Sequence, residues 1–270
     1  MPRKLVPALL LVLLCWNAAM AQEAVIWPKG TERRAKWRGN GAVAFGANEL
    51  IFGGIARAFY AVPITKGKSF LTRDSNVRFG ASTLVSPLVV KGGPFVGISP
   101  ALVLDLDLYY NAYCEPFHAK YDSLDDDYSY WAVADKKKTV GFGQEFVASS
   151  TLKLAYAGVI LVEMFDLHYF LFGHTWYSIE VVAIVDDGFH YTSKTLLLYE
   201  FKPGWRAGFM YDALYVFNSG YERDTLSVAF MGDRKLPWDW TMILSAGYHL
   251  NNSNYEGFKV WNAFLKEWDF

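Results

Sequence analysis

The chain has 270 residues, of which 53% are hydrophobic, 17% aromatic and only 20% charged, and its formal net charge is −1. This balance gives no global basic field for nucleic acid, two cysteines cannot build a disulfide scaffold, and the apolar content excludes a disordered chain. Past the first residues no apolar run approaches the roughly 18 residues of a membrane-spanning helix, so a helical transporter is excluded and a large all-β protein is favoured.

The first 21 residues have the organisation of a secretory signal peptide. Arg3 and Lys4 form a basic start, residues 5–16 an apolar core, and Ala19 and Ala21 the small residues of a cleavage site before Gln22. We therefore expect residues 1–21 to be removed on export through the inner membrane. Cys114 then remains as the single cysteine, with no partner for an intramolecular disulfide.

Residues 22–47 lie between this signal and the first predicted strand. Residues 22–40 carry five basic and two acidic side chains. Two interpretations stay open for the segment: a periplasmic lead-in that remains outside the bilayer, and a small basic plug that folds into the lumen against acidic residues such as Asp105 and Asp107.

From residue 48 onward the chain alternates with a period of two. Leu104, Leu106 and Leu108 share one side of a segment whose other side carries Asp105 and Asp107. An unpaired charge buried in the core of a soluble sandwich costs several kcal/mol, whereas a membrane barrel turns the apolar face to lipid and the polar face to its lumen. The predicted strands are 48–64, 76–90, 95–112, 139–154, 159–171, 189–201, 205–217, 224–231, 238–250 and 257–270.

The fold prediction is therefore all-β, a transmembrane antiparallel up-and-down β-barrel of about 10 strands over residues 48–270. Twelve strands are the alternative if residues 41–45, or part of 172–188, also pair. One residue conflicts with the pattern: Glu163 falls on the apolar face of the fifth predicted strand. A charge facing lipid is costly, so the sequence predicts a bulge or a shifted boundary there.

The predicted connections alternate between tight turns and longer loops. The tight turns are 91–93, 156–158, 202–204 and 233–237, and the longer loops are 65–75, 113–138, 172–188, 218–223 and 251–256. Short periplasmic turns and long extracellular loops are typical of outer-membrane barrels. The loop 113–138 has an acidic run, 122–127, and three lysines at 136–138, which indicate a solvated loop or one bridged by a cation to lipopolysaccharide phosphates.

The last residues carry a specific resemblance. Phe264, Trp268 and Phe270 lie on one face of the final predicted strand, which resembles the terminal strand of bacterial outer-membrane proteins. The chain as a whole resembles a group of uncharacterised, porin-like outer-membrane β-barrels. The resemblance implies the cell outer membrane, with its lipid and lipopolysaccharide, and a terminal aromatic read by the barrel-assembly machinery during biogenesis. It implies no activity.

The inward faces of the predicted strands carry charges of both signs. The predicted charged residues of the lumen are Arg57, Arg78, Asp105, Asp107, Glu145, Lys153, Asp166, His168, Lys194, Glu200, Arg206 and Asp212. No cofactor and no metal are predicted, because the five histidines are scattered and no glycine-rich phosphate loop joins a strand to a helix.

Three functions fit this lumen. The favoured one is a narrow channel for small solutes or ions, and the alternative is a closed structural or surface-interaction barrel that acts through its extracellular loops. The remote alternative is an omptin-like hydrolase, because Asp105 with Asp107 and Asp166 with His168 supply the carboxylate pair and the Asp-His pair of such a site. The spacing of two is also what any polar strand face produces, so no residue is assigned a catalytic role.

Overall fold

The computed structural model describes residues 35–47, 52–64, 72, 75–87, 89–119, 138–173, 176–178, 183–185, 187–218, 220–232, 241–251 and 258–269. The predicted signal peptide, residues 22–34 of the predicted lead-in or plug, and the acidic run 122–127 lie outside these residues. Among the residues described, no helix has the length and apolar character needed to cross a bilayer.

The described residues form fourteen strands. They are β1 (Lys36–Ala47), β2 (Phe52–Pro63), β3 (Asn76–Val85), β4 (Val90–Ala101), β5 (Leu104–Ala119), β6 (Lys138–Tyr156), β7 (Val159–Leu171), β8 (Trp176–Ser178), β9 (Ala183–Val185), β10 (Gly188–Lys202), β11 (Trp205–Val216), β12 (Tyr221–Gly232), β13 (Thr241–Asn251) and β14 (Phe258–Asp269). Twelve of them close into one antiparallel barrel in chain order, with β7 paired to β10 and β14 paired to β1. The two short strands β8 and β9 pair with each other and form a separate two-stranded sheet.

The barrel has twelve strands, the predicted alternative, and not ten. One added strand is β1, so the barrel begins at Lys36 and the predicted boundary at residue 48 is wrong. The suggested pairing of residues 41–45 is part of this longer strand. Its outward face carries Gly39 and Gly41 beside Trp37 and Val43, so it lacks the run of large apolar side chains that marks the other strands.

The second added strand comes from a turn that the sequence conceals. The predicted strand 95–112 is the end of β4 and the start of β5, joined by Leu102 and Val103. These two apolar residues continue the leucine pattern and give no turn signal. The predicted turn at 91–93 is wrong: those residues lie inside β4, and the chain turns at residues 86–89, where Val89 N donates to Ser86 Oγ at 2.9 Å.

The two ends of the barrel differ. Arg38 near the start of β1 pairs with Asp269 at the end of β14. The end of the barrel where these two residues lie is here called the terminal end, and the opposite end is called the loop end. Residues 102–103, 157–158 and 203–204 are two-residue turns at the terminal end, and Gly158 and Gly204 have the positive φ angles of 82° and 79° that such turns favour. The connection 64–75 is also at the terminal end, so the predicted strict alternation of short and long connections is wrong at this point.

The other differences from the predicted bounds arise because several strands are longer than predicted. β5 extends to Ala119, so residues 113–119 of the predicted loop 113–138 belong to a strand. β12 begins at Tyr221, so residues 221–223 of the loop predicted at 218–223 also belong to a strand. A spanning strand needs about 9–11 residues, and each of the twelve barrel strands reaches at least that length.

The outward face of the barrel is apolar. Large hydrophobic side chains around the wall are about half exposed or more: Phe79, Val96, Leu108, Phe142, Phe209 and Val228. They alternate along their strands with buried neighbours that face the interior. A closed sheet leaves no unpaired backbone edge, and an apolar outer band needs a hydrocarbon environment. The fold is therefore a transmembrane β-barrel.

Glu163 lies on this outward face, between Leu161 and Phe165. The predicted bulge is absent, because the pairing of β7 with both neighbours is continuous through this residue. Instead Ser193 Oγ donates to Glu163 Oε1 at 2.9 Å, and Thr195 Oγ1 donates to Oε2. Two hydroxyls on the adjacent strand β10 thus compensate part of the cost of a carboxyl group at the lipid face.

We expect the double variant Ser193→Ala, Thr195→Val to lower the free energy of unfolding by about 1–3 kcal/mol, because it leaves the carboxyl without donors. The urea midpoint of the barrel folded in liposomes measures this. Adding Glu163→Leu should recover most of the loss, since the group that needs the donors is then gone. A double variant as stable as the parent would contradict the role of the two hydroxyls.

Candidate functional site in the barrel lumen

Along each strand, the alternation of inward and outward positions shows on which face a predicted lumen residue lies. All twelve occupy inward positions. Asp107, Glu145, His168, Arg206 and Asp212 are buried. The other seven, Arg57, Arg78, Asp105, Lys153, Asp166, Lys194 and Glu200, are half-buried. The structure gathers most of them into three clusters on the inner wall.

The first cluster is centred on Arg78 of β3. Its guanidinium donates to Asp107 twice, from Nε to Oδ1 at 2.9 Å and from Nη2 to Oδ2 at 3.1 Å. Nη1 donates to Asp105 Oδ1 at 3.1 Å and to Ser99 Oγ at 2.7 Å. The bidentate geometry suits arginine, since its planar fork matches a carboxylate. Lys153 completes the cluster, with Nζ 2.6 Å from Asp105 Oδ2.

A glycine on the intervening strand permits this contact. Arg78 is on β3 and Asp107 on β5, so Gly97 of β4 lies between them. A Cβ at Gly97 would lie 1.8 Å from Asp107 Oδ1 and 2.8 Å from Arg78 Nε. The absent side chain is thus a steric condition for the ion pair.

Arg57 borders this cluster. Its guanidinium carbon lies 5.2 Å from the centroid of the Tyr109 ring, a cation–π distance. The Tyr109 hydroxyl in turn donates to Asp107 Oδ2 at 3.2 Å. The polar lining therefore runs continuously from β2 to β6.

The second cluster is centred on the buried carboxylate of Glu145. Lys91 Nζ donates to its two oxygens at 3.1 and 2.9 Å, and Asn111 Nδ2 donates at 2.8 Å. His168 Nδ1 lies 2.7 Å from Glu145 Oε1. His168 stacks on His190 with ring centroids 4.7 Å apart, and His190 stacks on Phe170 at 4.5 Å.

The third cluster joins β10 and β11. Lys194 Nζ lies 3.3 Å from Asp212 Oδ1, and Arg206 Nη2 lies 3.9 Å from Glu200 Oε1. Glu200 also accepts a hydrogen bond from Gly204 N at 2.7 Å, which ties the charge pair to the turn at the terminal end.

Apolar side chains fill part of the interior. At the loop end, the buried residues Val89, Tyr113, Phe170, Leu214 and Val216 pack together, with Leu84, Phe172 and Tyr221 against them. This set, here called the apolar layer, reaches from β3 to β12, which are nearly opposite in the ring. A second group, Ile160, Leu196, Leu198, Met210 and Ala229, lies nearer the terminal end.

Sequence reasoning missed three members of the clusters, Lys91, Ser99 and Asn111. Lys91 was assigned to a turn because Gly92 and Gly93 follow it. Lys91 alternates in step with the inward residues Phe95 and Gly97, which would have placed it in the lumen. That inference depends on knowing that β4 begins at Val90. Ser99 and Asn111 are uncharged and were therefore not counted among the lumen charges.

The contacts differ from those of a water-activating site. Asp105 and Asp107 are held by Arg78 and Lys153, and His168 is held by Glu145 and not by Asp166. The Asp-His pair considered for an omptin-like hydrolase is therefore not formed. In the part of the chain that the structure describes, no group of three or more His, Cys, Asp or Glu side chains is arranged to hold a metal ion.

No protein-family model and no curated relative matches the sequence. Three solved structures to which the chain is similar are outer-membrane or channel proteins. The outer membrane channel DcaP of Acinetobacter baumannii is 9% identical with a TM-score of 0.30, over 87% of this chain and 96% of that one. OccK11 (OpdR) of Pseudomonas aeruginosa is 8% identical with a TM-score of 0.28, over 91% and 100%. The CymD monoaromatic hydrocarbon channel is 8% identical with a TM-score of 0.31, over 88% and 89%.

Proposed function

We propose that the protein is an outer-membrane channel that conducts small hydrophilic solutes or ions through a narrow, charge-lined lumen. The closed barrel with an apolar outer band supports the membrane location. The three polar clusters on the inner wall support an aqueous interior, because ionised side chains are costly to remove from water even when they are paired.

One observation carries the channel proposal. Lys194 lies at the middle of β10 and has the inward parity of the buried residues His190, Leu196 and Leu198. Its side chain is nevertheless 35% exposed, although it pairs with Asp212. Because this position is far from both ends of β10, the exposure supports solvent-accessible space inside the barrel and not only at its rim.

A second inward residue supports this reading. Ile55 of β2 pairs with Ala42 on one side and Leu84 on the other, which sets it on the inner face, and it is 41% exposed. Its neighbours on β1 are small: Asn40, Ala42 and Ala44. The small side chains of this part of the wall leave room for a conducting path.

The test is single-channel conductance in planar bilayers. The sample is refolded protein whose unheated gel band migrates differently from the boiled one, so that the barrel is known to be closed. We expect discrete current steps. Folded protein that never conducts would contradict the channel and favour the second candidate.

The second candidate is a closed barrel that acts through its extracellular loops. The apolar layer at the loop end favours it, since those buried side chains come from nearly opposite walls. The two candidates differ in the unaltered protein: a channel conducts with this layer in place, whereas a closed barrel conducts only after the layer is thinned.

The proposal includes assembly by the barrel-assembly machinery in an outer membrane that contains lipopolysaccharide. β14 supplies the terminal strand, and its Phe264 pairs with Val43 of β1 on the outward face. Trp268 pairs with Gly39 in the same register, and Phe270 lies outside the described residues. Their role as the assembly signal stays a prediction.

A further inference from the structure

We propose that the lumen prefers small anions, inorganic or carboxylate, over cations; this rests on the proposed channel function and names its substrate class. The formal charges of the inner wall do not decide the sign, because most of them are paired. The position of each partner within its pair decides it.

In the two lysine–aspartate pairs, the lysine side chain is the more exposed partner. The side chain of Lys194 is 35% exposed against 12% for Asp212, and that of Lys153 is 35% exposed against 19% for Asp105. A lysine side chain is also longer than an aspartate and so extends farther from its strand. An ion in the lumen therefore meets the positive end of each pair first.

The same order holds around Glu145. This carboxylate is completely buried beneath Lys91, Asn111 and His168, so its negative charge is covered by donors. The pair of Arg206 with Glu200 presents neither sign, because both side chains are nearly fully buried.

Among the twelve charged residues assigned to the lumen above, two lie outside these pairs, one of each sign. Arg57 contacts the Tyr109 ring, and within the described residues it has no carboxylate at ion-pair distance. Its neighbours in register, Asn40 and Ser82, are neutral. Asp166 of β7 is half-buried, between Ser149 and Thr192 in register. These two residues offset each other in charge. Glu267 is also inward and exposed, but it lies two residues before the end of β14, at the terminal end. Inside the barrel, the exposed lysines therefore set the preference.

Arg57 and Asp166 form a matched pair for the test. The measurement is the reversal potential of single channels in a potassium chloride gradient across a planar bilayer. We expect the parent to conduct chloride better than potassium. Arg57→Gln should reduce that preference by roughly twofold and Asp166→Asn should increase it by about the same factor, as expected for one unit charge near a permeating ion. Arg57→Lys keeps the charge and should keep the preference.

Each result has a distinct meaning. A parent channel that prefers potassium overturns the anion preference and leaves the channel function standing. Folded protein that carries no current overturns both. An anion preference that neither Arg57→Gln nor Asp166→Asn changes, in variants that fold and conduct, overturns the assignment to the inward charges. If Arg57→Gln does not fold, Lys153→Gln tests the same sign at an exposed lysine.

Discussion

Replacing Arg78 by methionine is expected to lower the free energy of unfolding by about 3 kcal/mol or more. The guanidinium is the shared partner of Asp105, Asp107 and Ser99, and all of these side chains are largely buried. Removing one partner of a buried ion pair typically costs about 3–5 kcal/mol, because the remaining charge is left without compensation. Lys153 can still neutralise Asp105, but no other cation described in the structure contacts Asp107.

The urea midpoint of the folded barrel in liposomes measures this loss of stability. The change in gel migration between folded and unfolded protein is the readout. The control is the triple variant Arg78→Met, Asp105→Asn, Asp107→Asn, which removes charges of both signs and should be more stable than the single variant. A single variant at least as stable as the triple one would show that the cluster is not held by its charges.

Replacing Phe170 by alanine is expected to raise the single-channel conductance by roughly twofold or more, because protein interiors close only partly around a deleted side chain. Phe170 is fully buried in the apolar layer, with ring centroids 5.6 Å from Tyr113 and 6.1 Å from Phe172. The layer lies across the interior at the loop end, and the fully buried Phe170 ring is one of its large side chains.

Phe165→Ala is the matched control, since it deletes the same side chain from the same strand on the outward face, where Phe165 is exposed. It should leave the conductance unchanged. If Phe170→Ala conducts no better than the parent while remaining folded, the apolar layer is not the constriction. A parent without current and a Phe170→Ala variant with current would favour the closed barrel.

The parts of the fold that the sequence predicts are those where pattern and turn chemistry agree. β7, β10 and β11 follow a strict alternation, and glycine turns precede β7 and β11. The predicted bounds of all three strands lie within one residue of those observed. β1 has no such pattern, because glycines occupy its outward face beside Trp37 and Val43. The turn at Leu102 and Val103 is apolar like the strands it joins, so its position depends on pairing with distant strands.

For the candidate site, the sequence predicts which residues face the lumen but not which residues they bind. Strand parity alone places Asp105, Asp107 and Glu145 on the inner face. Their partners depend on the register between strands, since Lys91 and Glu145 are 54 residues apart and Arg78 and Asp107 are 29 residues apart. The Arg78 contact also depends on the missing side chain of Gly97. Local sequence carries no information on either condition.

The proposed channel requires a barrel that encloses water at the level of its mid-membrane residues. Thiol labelling tests it most directly, in a Cys114→Ser background that removes the free cysteine. Lys194→Cys places a thiol on the inner face of β10, and Leu197→Cys places one on the outer face of the same strand, where Leu197 is exposed. In folded barrels in liposomes, a small charged thiosulfonate should modify Lys194→Cys rapidly and leave Leu197→Cys unmodified, whereas both should react after denaturation. An inert thiol at Lys194→Cys would contradict the open lumen.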